Sequence, residues 1–173
     1  MKKLFLVLSV FTFCFGARSQ TIINRVGSVN EMVLEVNSDS LQAYVNHLVT
    51  FKSRHSHSSL LVEDHELGAA QEWLSNKFKS YIPQSGGRLS VRTDSYVLPP
   101  SQRVPFEHTY NNVVATLKGT DENDTRIFLV MAHLDSRAGN GNDAHAYSPG
   151  ANDDGSGIAA LIELCRILSA RPF

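Results

Sequence analysis

"RIFLVMAHLDSRAGNGNDAHAYSPGANDDGSGIAALIELCRIL", residues 126–168, holds three kinds of sequence in a row. Residues 126–132 are almost wholly apolar, which predicts a central strand covered on both faces. Residues 133–157 mix histidine, aspartate and asparagine with glycine and contain no large aliphatic residue after Leu134. From about Ser156 the apolar residues Ile158, Leu161, Ile162, Cys165 and Leu168 recur at helical spacing. A strand, a polar loop and a helix in that order form the unit from which α/β sheets are built.

The earlier chain fits the same class. Residues 38–54 predict a helix with the stripe Leu41, Tyr44, Val45, Leu48 and Val49, capped by Ser38 or Ser40. A second helix is expected from about Glu66 to Lys79 on Leu67, Ala70, Leu74 and Phe78, with Trp73 beside that stripe in the core. "RLSVRTDSYVL" (88–98) and "NNVVATLKG" (111–119) are rich in Val, Thr and Tyr and predict strands. Two helices, three strands, a loop and a helix describe a three-layer α/β sheet protein. The last helix should feed another strand, so the chain reads as the front part of a domain, incomplete at its C-terminus.

Composition narrows the function. The 173 residues are 42% hydrophobic and 19% charged, as in an ordinary globular domain, and the net charge of −1 suggests no nucleic-acid or membrane-surface partner. "MKK", the 13-residue apolar run Leu4 to Gly16, and Ala17 and Ser19 at small-x-small spacing have the form of a signal peptide, residues 1–19. Cleavage there removes Lys2, Lys3 and Arg18 and takes the charge from −1 to −4. The expected location is secreted or periplasmic. Cys14 leaves with the leader, and Cys165, on an apolar helix face, reads as a small buried hydrophobe.

The polar loop carries the chemistry. His133 stands at the carboxyl end of the expected strand, where α/β sheets gather functional groups. Asp135, two residues on, shares its face and can accept a hydrogen bond from the ring, which would make the other nitrogen a better metal ligand. Asp153 and Asp154 are adjacent, lie between Gly150, Gly155 and Gly157, and immediately precede a helix. Their repulsion beside a covered sheet calls for a cation, and one carboxylate can bridge two metals about 3.5–4 Å apart. A nitrogen ligand with carboxylates favours zinc over calcium or magnesium. A solvated surface loop is the alternative at this point. His55 and His57 read as loop residues in a serine-rich stretch, and His145 as a solvated one.

"FLVMAHLDSR" (128–137) followed by "SPGANDDGSGIAALIELCRIL" (148–168) is similar to the paired signature of the secreted zinc aminopeptidase family. That family also holds glutamate carboxypeptidases, glutaminyl cyclases and the zinc-free transferrin receptors. "LVTFKSRHSHS" (48–58) and "NNVVATLKG" resemble its lead-in, and the likeness runs from about residue 25 to the end. The resemblance implies a zinc exopeptidase-like α/β/α sandwich with a mixed central sheet, whose catalytic domain begins within residues 20–173. His133 would bind one zinc, Asp153 would bridge two, and Asp135 would stand behind His133. Asp154 would shape the turn. The family's general-base glutamate, the glutamate ligand beside it, a further acid and a distant histidine have no counterpart here; Glu163 lies within the last helix and is none of them. The implied activity is hydrolysis of N-terminal residues from peptide substrates by a two-zinc-activated water. This chain alone is expected to be inactive. A single-zinc glutaminyl cyclase, whose corresponding segment resembles "TDSA", and a metal-free interaction domain are the alternatives.

Overall fold

A computed structural model describes residues 27–58, 60, 65–102, 106–139 and 143–172. The expected signal peptide and Cys14 lie outside these residues. The elements run α1 (Gly27–Leu34), α2 (Ser38–Thr50), α3 (Glu66–Lys79), β1 (Leu89–Leu98), β2 (His108–Leu117) and α4 (Ser156–Ser169). Among the described residues no helix is long and apolar enough to cross a membrane.

The three longer helices form where apolar periodicity placed them. α2 starts on a cap one residue earlier than expected: Asn37, not Ser38 or Ser40, supplies the side chain, which accepts the Ser40 N–H at 2.8 Å. It buries Tyr44 and Leu48. At its C-terminal end Lys52 adopts φ 64°, the left-handed conformation that closes a helix. α3 buries Leu67, Ala70, Leu74 and Phe78, the expected stripe. Trp73 is partly buried and meets the rings of Tyr44, His47 and Phe51 at 6.5, 4.7 and 6.2 Å. α1 has no buried residue and no sequence signal that announced it. Polar contacts to the far end of the chain hold it: Arg171 pairs with Glu31 and Glu35, and Arg166 donates to the Glu35 carbonyl.

β1 and β2 pair antiparallel, from Leu89 opposite Leu117 to Leu98 opposite His108. α3 packs on this ribbon, and α2 packs on α4. Tyr44, Leu48, Phe51, Leu74, Phe78, Leu89, Ile158 and Ile162 form one core between them. Helices and strands around a shared core make this an α/β chain.

The expected central strand is the difference. Residues 126–132 carry no strand hydrogen-bonding, and the sheet among the described residues has two strands only. Ile127, Phe128, Leu129, Val130 and Met131 are 60–92% exposed. Their apolar run is real, but a strand exists only where a neighbouring chain completes the ladder, and no described segment lies alongside to do so.

Candidate metal centre

The polar loop folds as two limbs around a buried scaffold. The first limb runs from Ala132 to Ser136, with Ala132 and Leu134 packed against the core and His133 between them turned outward. The second is a turn from Gly150 into α4, closed by the Gly155 N–H donating to the Gly150 carbonyl at 3.0 Å. Gly150 is needed there: its φ is 48°, and a Cβ would lie 2.6 Å from that of Ser136 and 2.8 Å from the Asp153 carbonyl. Asp153 (φ −110°, ψ 94°) and Asp154 (φ −125°, ψ 36°) leave helical geometry, and the peptide bond between them is cis.

This backbone sends the two adjacent carboxylates to different tasks. Asp154 turns inward and ties the limbs together. Its Oδ2 accepts the His133 N–H at 3.1 Å, and its Oδ1 accepts the Gly157 N–H at 3.2 Å in the first turn of α4. A carboxylate there also complements the positive end of the helix. Asp153 turns outward, its side chain 89% exposed, and its Oδ1 lies 2.9 Å from His133 Nε2.

The other ring nitrogen is engaged too. His133 Nδ1 sits 3.0 Å from the Asp135 carbonyl and 3.3 Å from the Asp135 carboxylate. The backbone oxygen is the nearer acceptor, so residue 135 orients the imidazole through its main chain as well as its side chain. With Nδ1–H donating to Asp135, a proton on Nε2 donates to Asp153, and a metal ion would take that proton's place. Burial lowers the His133 pKa, but the Asp135 carbonyl, the charges of Asp135 and Asp154, and the bond to Asp153 outweigh it and raise the value overall. One imidazole among three carboxylates is an environment that attracts cations.

The donor set fits a metal edge. Two ligands at tetrahedral positions around zinc, each bonded at about 2.0–2.1 Å, stand about 3.3 Å apart. The 2.9 Å between Nε2 and Oδ1 needs only a small opening to reach that. It is an edge and not a cage: among the described residues no group of three or more His, Cys, Asp or Glu could hold an ion.

The remaining candidates lie elsewhere. His55 is buried and His57 half-buried, in an aromatic cluster with His108, Tyr110 and Phe106, with His55 and His108 each 5.0 Å from the His57 ring. Burial, then the neighbouring His55 and His108, lower the His57 pKa. His145 is exposed. Glu163 is 2% exposed, bonded to Arg166 and accepting the Asn37 N–H at 2.8 Å. Sequence reading missed Arg54, which is completely buried beneath the loop. Its only signal was its place inside the lead-in stretch, because an arginine by itself predicts a solvated surface.

Comparison with known proteins agrees with the two motifs. Residues 112–173 match the model of peptidase family M28. A probable zinc metalloprotease of Leptosphaeria maculans is 38% identical over 143 residues, covering 83% of this chain and 33% of that protein. One from Pyricularia oryzae is 39% identical over 137 residues, 79% of this chain and 27% of its own length. The chain thus spans about a third of the length of the curated relatives it matches. The resemblance to the zinc exopeptidases therefore holds beyond two short motifs: residues 112–173 match peptidase family M28, and about four fifths of the chain is similar to probable zinc metalloproteases.

Proposed function

We propose that this chain contributes the first metal-binding segment of a two-zinc exopeptidase, an exported aminopeptidase acting on peptide substrates. The observation that carries the reading is the facing pair His133 Nε2 and Asp153 Oδ1, 2.9 Å apart on limbs held by Asp154. Zinc follows from the nitrogen-plus-carboxylate donor set, from the family match and from relatives named as probable zinc metalloproteases. Zinc held by His133 and Asp153 would supply Lewis acidity for hydrolysis.

His133 contributes Nε2, its tautomer set by the Asp135 carbonyl and carboxylate. Asp153 would hold zinc beside His133 through its exposed carboxylate. Asp154 binds no metal; it keeps the limbs at a fixed separation. The completed domain is a three-layer sandwich in which residues 126–132 become a central strand of a mixed sheet. The general base and the remaining ligands come from outside the described residues. The leader at residues 1–19 directs the protein to the exterior or the periplasm.

The full-length protein should hydrolyse aminoacyl p-nitroanilides, stop when zinc is chelated, and recover on zinc addition. The N-acetylated substrates should not be cleaved, because an aminopeptidase recognises the free amine. Chelator-insensitive turnover would reject the metal reading; equal cleavage of blocked and free substrates would reject the aminopeptidase reading alone.

A further inference from the structure

Arg54 is 0% exposed, and its guanidinium makes four hydrogen bonds, each to a backbone carbonyl. Nε donates to Leu134 O at 2.8 Å, between His133 and Asp135. Nη1 donates to Pro149 O at 2.7 Å and Nη2 to Gly150 O at 3.0 Å, where the turn toward Asp153 begins. The second bond of Nη1 goes to Leu48 O at 2.9 Å, near the end of α2. The backbone of the same residue joins the first limb again: Ser136 N donates to Arg54 O at 3.0 Å, and Arg54 N donates to Ser136 Oγ at 3.2 Å. Ser136 Oγ in turn donates to Ser148 O at 2.6 Å, on the second limb.

Burying a cation is costly, and a hydrophobic residue of similar volume often serves stability as well or better. The structure spends that cost where one planar fork reaches three places at once: the limb bearing His133, the limb bearing Asp153, and the helix behind both. A lysine, with a single point of donation, cannot hold all three. Gly150 belongs to the same arrangement, since a Cβ there would lie 2.9 Å from Arg54 Nη2.

We propose that Arg54 is a positioning residue for the metal centre, setting the distance between the His133 and Asp153 ligands and so the affinity for zinc. This rests on the metal reading above, and the experiment separates the two. Zinc dissociation constants of the full-length protein would be measured by competition with a chromophoric chelator. Wild type, Arg54→Lys, His133→Ala and the core variant Ile162→Ala would be compared, with melting temperatures recorded on the zinc-free proteins.

Arg54→Lys should bind zinc about 10–100-fold more weakly, the range found when a group supporting metal ligands is lost. Ile162→Ala, a core variant that lowers melting without removing a hydrogen bond between the limbs, should bind zinc as wild type does. Unchanged affinity in Arg54→Lys beside loss in His133→Ala would overturn the role of Arg54 alone. So would an equal affinity loss in Ile162→Ala, because the effect would then follow stability. Wild-type affinity in His133→Ala would overturn the metal reading and this proposal with it. Should Arg54→Lys not fold, Ser136→Ala decides: it removes one hydrogen-bonding hydroxyl from the same joint and should weaken zinc about threefold to tenfold, while no change would overturn the proposal.

Discussion

Gly150 and Asp154 show how single residues set the geometry of the loop. At φ 48° a non-glycine residue costs about 1–2 kcal/mol, and a Cβ at Gly150 would also collide with Ser136 and the Asp153 carbonyl. Gly150→Ala should therefore lower stability by about 2–4 kcal/mol in urea unfolding, combining strain with overpacking; an unchanged midpoint would show that the turn is not held as described. Cys165 gives a second test. Burial pushes its thiol up to about 11, so at pH 8 only about one part in a thousand is thiolate. It should react with a disulfide reagent far more slowly in the folded protein than in urea, and equal rates would contradict its burial. His133, Asp135 and Asp153 were singled out by residue type, spacing and the family resemblance, and the structure brings the three together. Arg54 was not, since nothing in a linear sequence says that four carbonyls will converge on one guanidinium. The α2 cap was misassigned for a smaller reason: Asn37, Ser38 and Ser40 are all capping residues, and only the backbone angles at Asn37 choose among them.

Among the elements, α4 departs most instructively from its pattern. Its stripe placed Ile158 and Ile162 correctly, yet Glu163 is buried and Leu164 is 36% exposed. Two Arg166 bonds, at 2.8 and 2.9 Å, and the Asn37 N–H satisfy the Glu163 carboxylate, so burial is tolerated. The Arg166 bonds lower its pKa; burial opposes them, and the Asn37 N–H and the Arg166 charge add to the lowering. A carboxyl with a depressed folded-state pKa stabilises fully above its ordinary value of 4.5 and loses that contribution as pH falls through the lower value. Glu163→Gln should cost about 1–3 kcal/mol at pH 7 and flatten the fall in stability below about pH 4.5. A variant with the wild-type pH profile would show that the pair contributes nothing. Segment 126–132 failed as a strand for a different reason. Periodicity reports what a segment must bury, whereas a strand also needs a partner, and that is a property of other parts of the chain.

For the molecule as a whole, the α/β class was legible because helix and strand periods alternate, while the sandwich depends on sheet neighbours that the described residues do not include. The exposed run Ile127–Met131 sets the consequence. A contiguous apolar patch of this kind marks a binding or aggregation surface. The 173-residue chain alone should self-associate, bind a hydrophobic dye and show no turnover, while the full-length protein should do the first two weakly and hydrolyse peptides. Turnover by the isolated chain at a rate near that of the longer protein would contradict the division of ligands and base. The central claim, that His133 and Asp153 hold zinc, is tested most directly by the zinc content of purified full-length protein and its variants, measured by plasma mass spectrometry. The account predicts two zinc ions per wild-type chain, one or fewer in His133→Ala, and almost none in Asp153→Ala. Two ions retained in both variants would contradict it.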